Sequence, residues 1–171
     1  MKPNRFMLAL AALCFAAGGA SAQQTDGKSV APKTYKAYMV SDAHLDTQWN
    51  WDVQTTIREY IPRTLFQNLY LMERFPDYRF SFEGGVVYSW MKEYYPMHYE
   101  RMKKYIASGQ WHIAGASWDA NDPNMPSAES FFRNILLGQE FYKKEFGVRS
   151  TDIFLPDLSL IHISEPTRRS Y

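Results

Sequence analysis

Tyr78-Arg79-Phe80-Ser81-Phe82-Glu83-Gly84-Gly85 is the stretch whose reading decides the fold class. Its aromatic-rich half predicts a strand over residues 78–82, ended by the glycine pair. Helical sequence follows from about Val87 to Ala107, interrupted near Pro96 and closed by Gly109. Trp111 to Ala114 then reads as another strand. Outward from this unit the alternation continues. Upstream, Ile61, Leu65, Leu69 and Met72 are spaced as one face of a helix over Ile57–Arg74, with Pro62 near its first turn. Lys36 to Ser41 before it reads as a short strand. Downstream, Ser127 caps a helix with Glu129 in its first turn, running to about Phe146 and stopped by Gly147. Thr151 to Leu155 reads as a fourth strand. Strands separated by helices give the α/β class with a parallel sheet, either a barrel or an open doubly wound sheet.

Composition narrows the partners. The 171 residues are 46% apolar and 22% charged, which excludes a disordered chain. With 19 basic against 18 acidic residues there is no long-range field to attract nucleic acid or anionic lipid. The length suits one domain, or a piece of a larger one, at roughly 150 residues per domain.

The first 22 residues read as a secretory signal peptide. Lys2 and Arg5 precede an almost unbroken apolar run from Phe6 to Ala17, and Ala20-Ser21-Ala22 has the small residues of a cleavage site. The apolar run is too short to span a bilayer, and no later run reaches that length. The expected location is secreted or periplasmic, with cleavage after Ala22. Cleavage removes two basic residues and no acid, so the mature net charge is −1. It also removes Cys14, the only cysteine, which rules out disulfides and thiolate metal sites in the mature chain. Residues 23–34 read as a flexible leader, with Gly27 and Pro32.

Polar and acidic residues collect just after each expected strand: His44 and Asp46, Glu83, Asp119, and Asp157. In parallel α/β folds the C-terminal strand ends share one face, and active sites lie there. Helix caps and ordinary loop acids supply a plainer account of Glu83 and Asp119. The sharpest local signal is Asp42-Ala-His44-Leu-Asp46-Thr-Gln-Trp49-Asn-Trp51. In extended chain, residues two apart point to one side, so His44 and Asp46 can converge on a divalent metal such as zinc. A surface histidine beside a capping aspartate is the other reading of that tripeptide. Trp49 and Trp51 offer rings on which a sugar could pack, though core packing is expected for one of them. Phe154-Leu-Pro156-Asp157 ends a strand with a carboxylate that could bind metal, attack an anomeric carbon, or both. The proline-fixed loop from Ser117 to Ser127 lies at the same edge.

Four motifs occur in order: His44-Leu-Asp46-Thr-Gln-Trp49, Phe82-Glu83-Gly84-Gly85, Trp118-Asp119 with Pro126-Ser127-Ala-Glu129-Ser130, and Phe154-Leu-Pro156-Asp157. Over residues 35–157 the chain thereby resembles glycoside hydrolase family 38, the α-mannosidases, and most of all its secreted bacterial members. The resemblance implies the N-terminal part of a seven-stranded (β/α) barrel, a zinc ion, and retaining hydrolysis of terminal α-mannosides of glycans. It implies His44, Asp46 and Asp157 as metal ligands, and Asp157 also as nucleophile. It implies Trp49 as the aromatic on which the mannose ring packs, and Trp118 and Asp119 are expected to bind substrate beside it. Asp42 stands where many members have a histidine that is not a ligand. The acid/base residue and the last ligand histidine of the family lie beyond Asp157, so His162 is not assigned. Residues 158–171 abandon the family pattern and are expected to be an artefactual tail on a truncated, inactive fragment. Oligomeric state is not legible. Two other functions fit the residues alone: another metal-dependent carbohydrate hydrolase such as a deacetylase, and a non-catalytic sugar-binding protein.

Overall fold

The computed structural model describes residues 34–122 and 125–157. The expected signal peptide (1–22), the leader up to residue 33 and the tail (158–171) lie outside the described residues. Residues 34–37, the described end of a separate N-terminal unit, are exposed and carry no regular structure.

Three short strands, β1 (Ser41–Ala43), β2 (Phe80–Phe82) and β3 (Trp111–Ile113), form a parallel sheet in the order β1-β2-β3. Ala43 pairs with Phe82, and Phe82 with Ile113. Between and after them run α1 (Val53–Thr55), a π-helical turn (Thr56–Tyr60), α2 (Ile61–Arg74), α3 (Gly85–Tyr94), α4 (Pro96–Ala107) and α5 (Ala128–Phe146). The alternation expected from sequence is present, and the class is α/β.

Alternation along the strands assigns the two faces. Phe80, Phe82, Trp111 and Ile113 are buried, whereas Ser81 and His112 between them are not. The buried face meets the helices through Tyr88, whose ring packs edge-on against Phe82 and Trp111. Ile61, Leu65, Leu69 and Met72 of α2, at helical spacing, are all buried in the same core, with Met91, Tyr99, Met102 and Tyr142. Each such side chain contributes roughly 1.5–3 kcal/mol through the surface it removes from water.

The helix ends follow local chemistry. The Ser127 side chain accepts from the Ser130 amide at 3.2 Å and so caps α5. Gly147 ends α5 at φ 72°, a conformation costly for any residue with a Cβ. Pro62 sits in the first turn of α2, yet the helical path is continuous before it. The π turn widens the coil just there, which relieves the clash of a proline ring with the carbonyl four residues back.

Two strand expectations are corrected. The first strand is not Lys36–Ser41 but Ser41–Ala43. Tyr38, Met39 and Val40 are exposed, because the partner strand β2 begins opposite Ser41. The segment 151–155 forms no strand. At that point the Asp152 carboxylate takes the Gly115 amide at 2.9 Å, and no backbone ladder joins this segment to β3. The described residues thus make an open three-stranded sheet rather than a closed barrel. Among them no helix is long and apolar enough to cross a membrane.

Candidate functional site

Register builds the site. Ala43 lies opposite Phe82, so the residues that follow, His44 and Glu83, leave the sheet side by side. Phe82 lies opposite Ile113, so the chain leaving β3 toward Asp119 starts beside them. Parallel strands deliver all of these to one edge.

The β1–α1 loop is pinned by Thr56, which is fully buried. Its hydroxyl donates to the Thr47 carbonyl at 2.9 Å and accepts from Trp51 Nε1 at 2.7 Å. The Thr47 hydroxyl in turn donates to Asp119 at 3.2 Å and ties the first loop to the third. Trp51 lies against Tyr60 at a centroid distance of 4.6 Å, whereas Trp49 is 72% exposed. Of the two tryptophans, one is therefore docked and the other presents its ring to solvent.

His44 Nε2 stands 3.2 Å from Asp46 Oδ1 and 3.8 Å from Asp157 Oδ2. One ligand atom from each of His44, Asp46 and Asp157 lies within 4.8 Å of the other two. The three expected metal ligands are thus brought together from two distant parts of the chain. The donors are one imidazole nitrogen and two carboxylates, a set that suits zinc. Side-chain exposure is 24% for His44 and 73% for Asp157, so the cluster is open to an incoming molecule.

Glu83 lies behind His44, its Oε1 at 3.6 Å from Nδ1. Burial pushes its carboxyl up to about 7, against the pull of His44 and helped by the negative charge of Asp119. Gly84 follows at φ 93°, turning the chain abruptly into α3.

The third loop is clasped by α5. Asn134 Oδ1 accepts from the Asp119 amide at 3.0 Å, and Asn134 Nδ2 donates to the Asp119 carbonyl at 2.9 Å and to Asn121 Oδ1 at 2.6 Å. The Tyr142 hydroxyl donates to the Ser117 carbonyl at 3.0 Å. Trp118 packs on Gly85 and on the edge of Phe141 at 5.5 Å between ring centroids. Asp119 is therefore held at the shared edge, while the Trp118 ring is half-buried beside α3.

Sequence reasoning did not single out Thr47, Thr56, Asn134 or Gly138, the glycine of α5 that lies against the backbone of Ala116 to Trp118. A mid-helix asparagine and glycine in α5 were the available signals, since both are unfavourable there without a tertiary reason.

Residues 34–158 match the model of the glycosyl hydrolases family 38 N-terminal domain. Alpha-mannosidase G of Dictyostelium discoideum is 38% identical over 122 residues, covering 71% of this chain and 11% of that protein. Alpha-mannosidase 2C1 of Homo sapiens is 32% identical over 143 residues, covering 84% of this chain and 14% of its own length. The crystal structure of a family 38 protein from Enterococcus faecalis superposes with a TM-score of 0.60 at 25% identity, over 71% of this chain and 14% of that one. The chain spans about a seventh or less of the length of each. Matched over most of its residues to that N-terminal domain, the chain belongs to glycosyl hydrolase family 38.

Proposed function

We propose that this chain carries the N-terminal part of the catalytic domain of a zinc-dependent, retaining α-mannosidase that acts on terminal α-mannosides of glycans. On this reading its three strands begin a seven-stranded (β/α) barrel, and further strands and site residues complete it. The convergence of His44, Asp46 and Asp157 on one open point at the C-terminal sheet edge carries the proposal. The α-mannosidase names of the relatives support the substrate class. The pattern of residues 1–22 supports export to the periplasm or the medium.

Zinc held by His44, Asp46 and Asp157 would supply Lewis-acid polarisation of the sugar hydroxyls. Asp157, the most exposed of the three, attacks the anomeric carbon and forms a glycosyl-enzyme ester. A second carboxylic acid, supplied from beyond residue 157, protonates the leaving oxygen and then deprotonates water. Two inversions give net retention. The exposed Trp49 ring offers its apolar face to the C–H surface of the sugar, and Asp119 can accept from hydroxyls.

The test uses a protein in which residues 35–157 continue into the remainder of the family's catalytic domain. With an aryl α-mannoside, NMR of the first-formed product is expected to show α-mannose, and Asp157→Ala is expected to remove nearly all turnover. Initial β-mannose would rule out double displacement.

A further inference from the structure

A buried carboxylate stands behind His44 with no role in the chemistry just described. Glu83 is 6% exposed. Its Oε1 is enclosed and accepts no hydrogen bond. Its Oε2 faces Gly115, where even a Cβ would come within 3.5 Å. Leaving an enclosed carboxylate oxygen unpaired is costly, so a donor is expected for it. The group within reach is His44 Nδ1 at 3.6 Å. A shift of about 0.7 Å would bring the two to an ordinary hydrogen-bond length of roughly 2.9 Å.

The His44 ring thus divides its two nitrogens. Nε2 faces Asp46 and Asp157, and Nδ1 faces Glu83. Metal-bound imidazoles commonly donate their free N–H to a carboxylate, which fixes the tautomer and aims the coordinating lone pair. We infer that Glu83 is a positioning residue that accepts a hydrogen bond from the Nδ1–H of His44 and so holds Nε2 toward Asp46 and Asp157. Glu83 acts through the ring, since it faces the nitrogen opposite the two aspartates. The cross-strand register makes the pairing, because Ala43 and Phe82 are partners and the next residues are neighbours. The inference rests on the metal reading proposed above.

The experiment uses the whole 171-residue chain, labelled with ¹⁵N-histidine, and zinc competed against a chromogenic chelator. Glu83→Ala is expected to weaken zinc binding roughly ten- to hundredfold. Glu83→Gln keeps a side-chain carbonyl that can accept a hydrogen bond from Nδ1–H, and should recover most of that loss. In the zinc-loaded parent chain the His44 signals, identified by their absence in His44→Ala, should show a protonated Nδ1 with metal on Nε2. A merely structural role for Glu83 would not fix that tautomer. Metal on Nδ1 with a protonated Nε2 would overturn the inference from the parent chain alone, even if Glu83→Ala failed to fold. Zinc affinity in Glu83→Ala within about twofold of the parent, with His44→Ala clearly weakened, would overturn it while leaving the metal reading intact. Unchanged affinity in His44→Ala would remove the metal reading and the inference together.

Discussion

Asn134 and Asp119 hold each other by a pair of opposed hydrogen bonds. The Asp119 amide donates to Asn134 Oδ1 at 3.0 Å, and Asn134 Nδ2 returns a bond to the Asp119 carbonyl at 2.9 Å. The side-chain amide thereby imitates a neighbouring strand for a loop that has none. Asn134→Ala should cost roughly 1–2 kcal/mol, the usual effect of leaving partly buried backbone groups unpaired. Amide hydrogen exchange at Asp119 should accelerate with little change at Phe82 in the sheet. Equal protection in both proteins would show that the clasp does not hold the loop.

Gly138 lies where α5 crosses that loop. A Cβ there would stand 2.3 Å from the Ala116 carbonyl oxygen and 2.6 Å from the Trp118 amide nitrogen. Two effects oppose each other in Gly138→Ala. Helix propensity favours alanine by about 1 kcal/mol. Overpacking against backbone, which cannot swing aside, costs roughly 3 kcal/mol. The clash wins, and urea unfolding should show net destabilisation. A more stable variant would mean the helix and loop are not in contact.

How much of this was legible in sequence follows from range. Ser127 and Gly147 announce both ends of α5 because capping is decided within a few residues. His44 and Asp46 are legible as a pair by their spacing of two. The closeness of Glu83 to His44 is not, because it depends on the register of β1 on β2. The same register moved the first strand off the apolar Tyr38-Met39-Val40 and onto the polar Ser41-Asp42. The expected strand at 151–155 fails for a similar reason: a side chain, Asp152, occupies the Gly115 amide that a ladder would need.

Tyr88 carries a buried relay. Trp111 Nε1 donates to its hydroxyl at 2.8 Å, and the hydroxyl donates to the Phe82 carbonyl at 2.9 Å. That carbonyl also accepts from the Ala114 amide at 2.9 Å, so only the indole N–H is orphaned in Tyr88→Phe. The loss should be about 1–3 kcal/mol. Thermal unfolding of Tyr88→Phe measures it, and an unchanged midpoint would contradict the relay.

Asp152 gives a pH dependence of definite sign. Burial acts to raise its carboxyl, but hydrogen bonds from Ser150, His112 and the Gly115 amide outweigh it and hold it below the usual carboxylate range. The folded state therefore binds fewer protons than the unfolded one, and Asp152 contributes stability above its unfolded value of about 3.9. Asp152→Asn should be less stable than the parent at neutral pH. The gap should close as pH falls below about 4. A gap that widens on acidification would contradict the assignment.

The central claim is that His44, Asp46 and Asp157 form a zinc site, and metal content measures it most directly. After exposure to zinc and exhaustive dialysis, elemental analysis of a protein in which residues 35–157 continue into the remainder of the family's catalytic domain is expected to give about one zinc per molecule. His44→Ala should retain little of it, with the fold unchanged by circular dichroism. Equal zinc content in the parent and in His44→Ala would contradict the account.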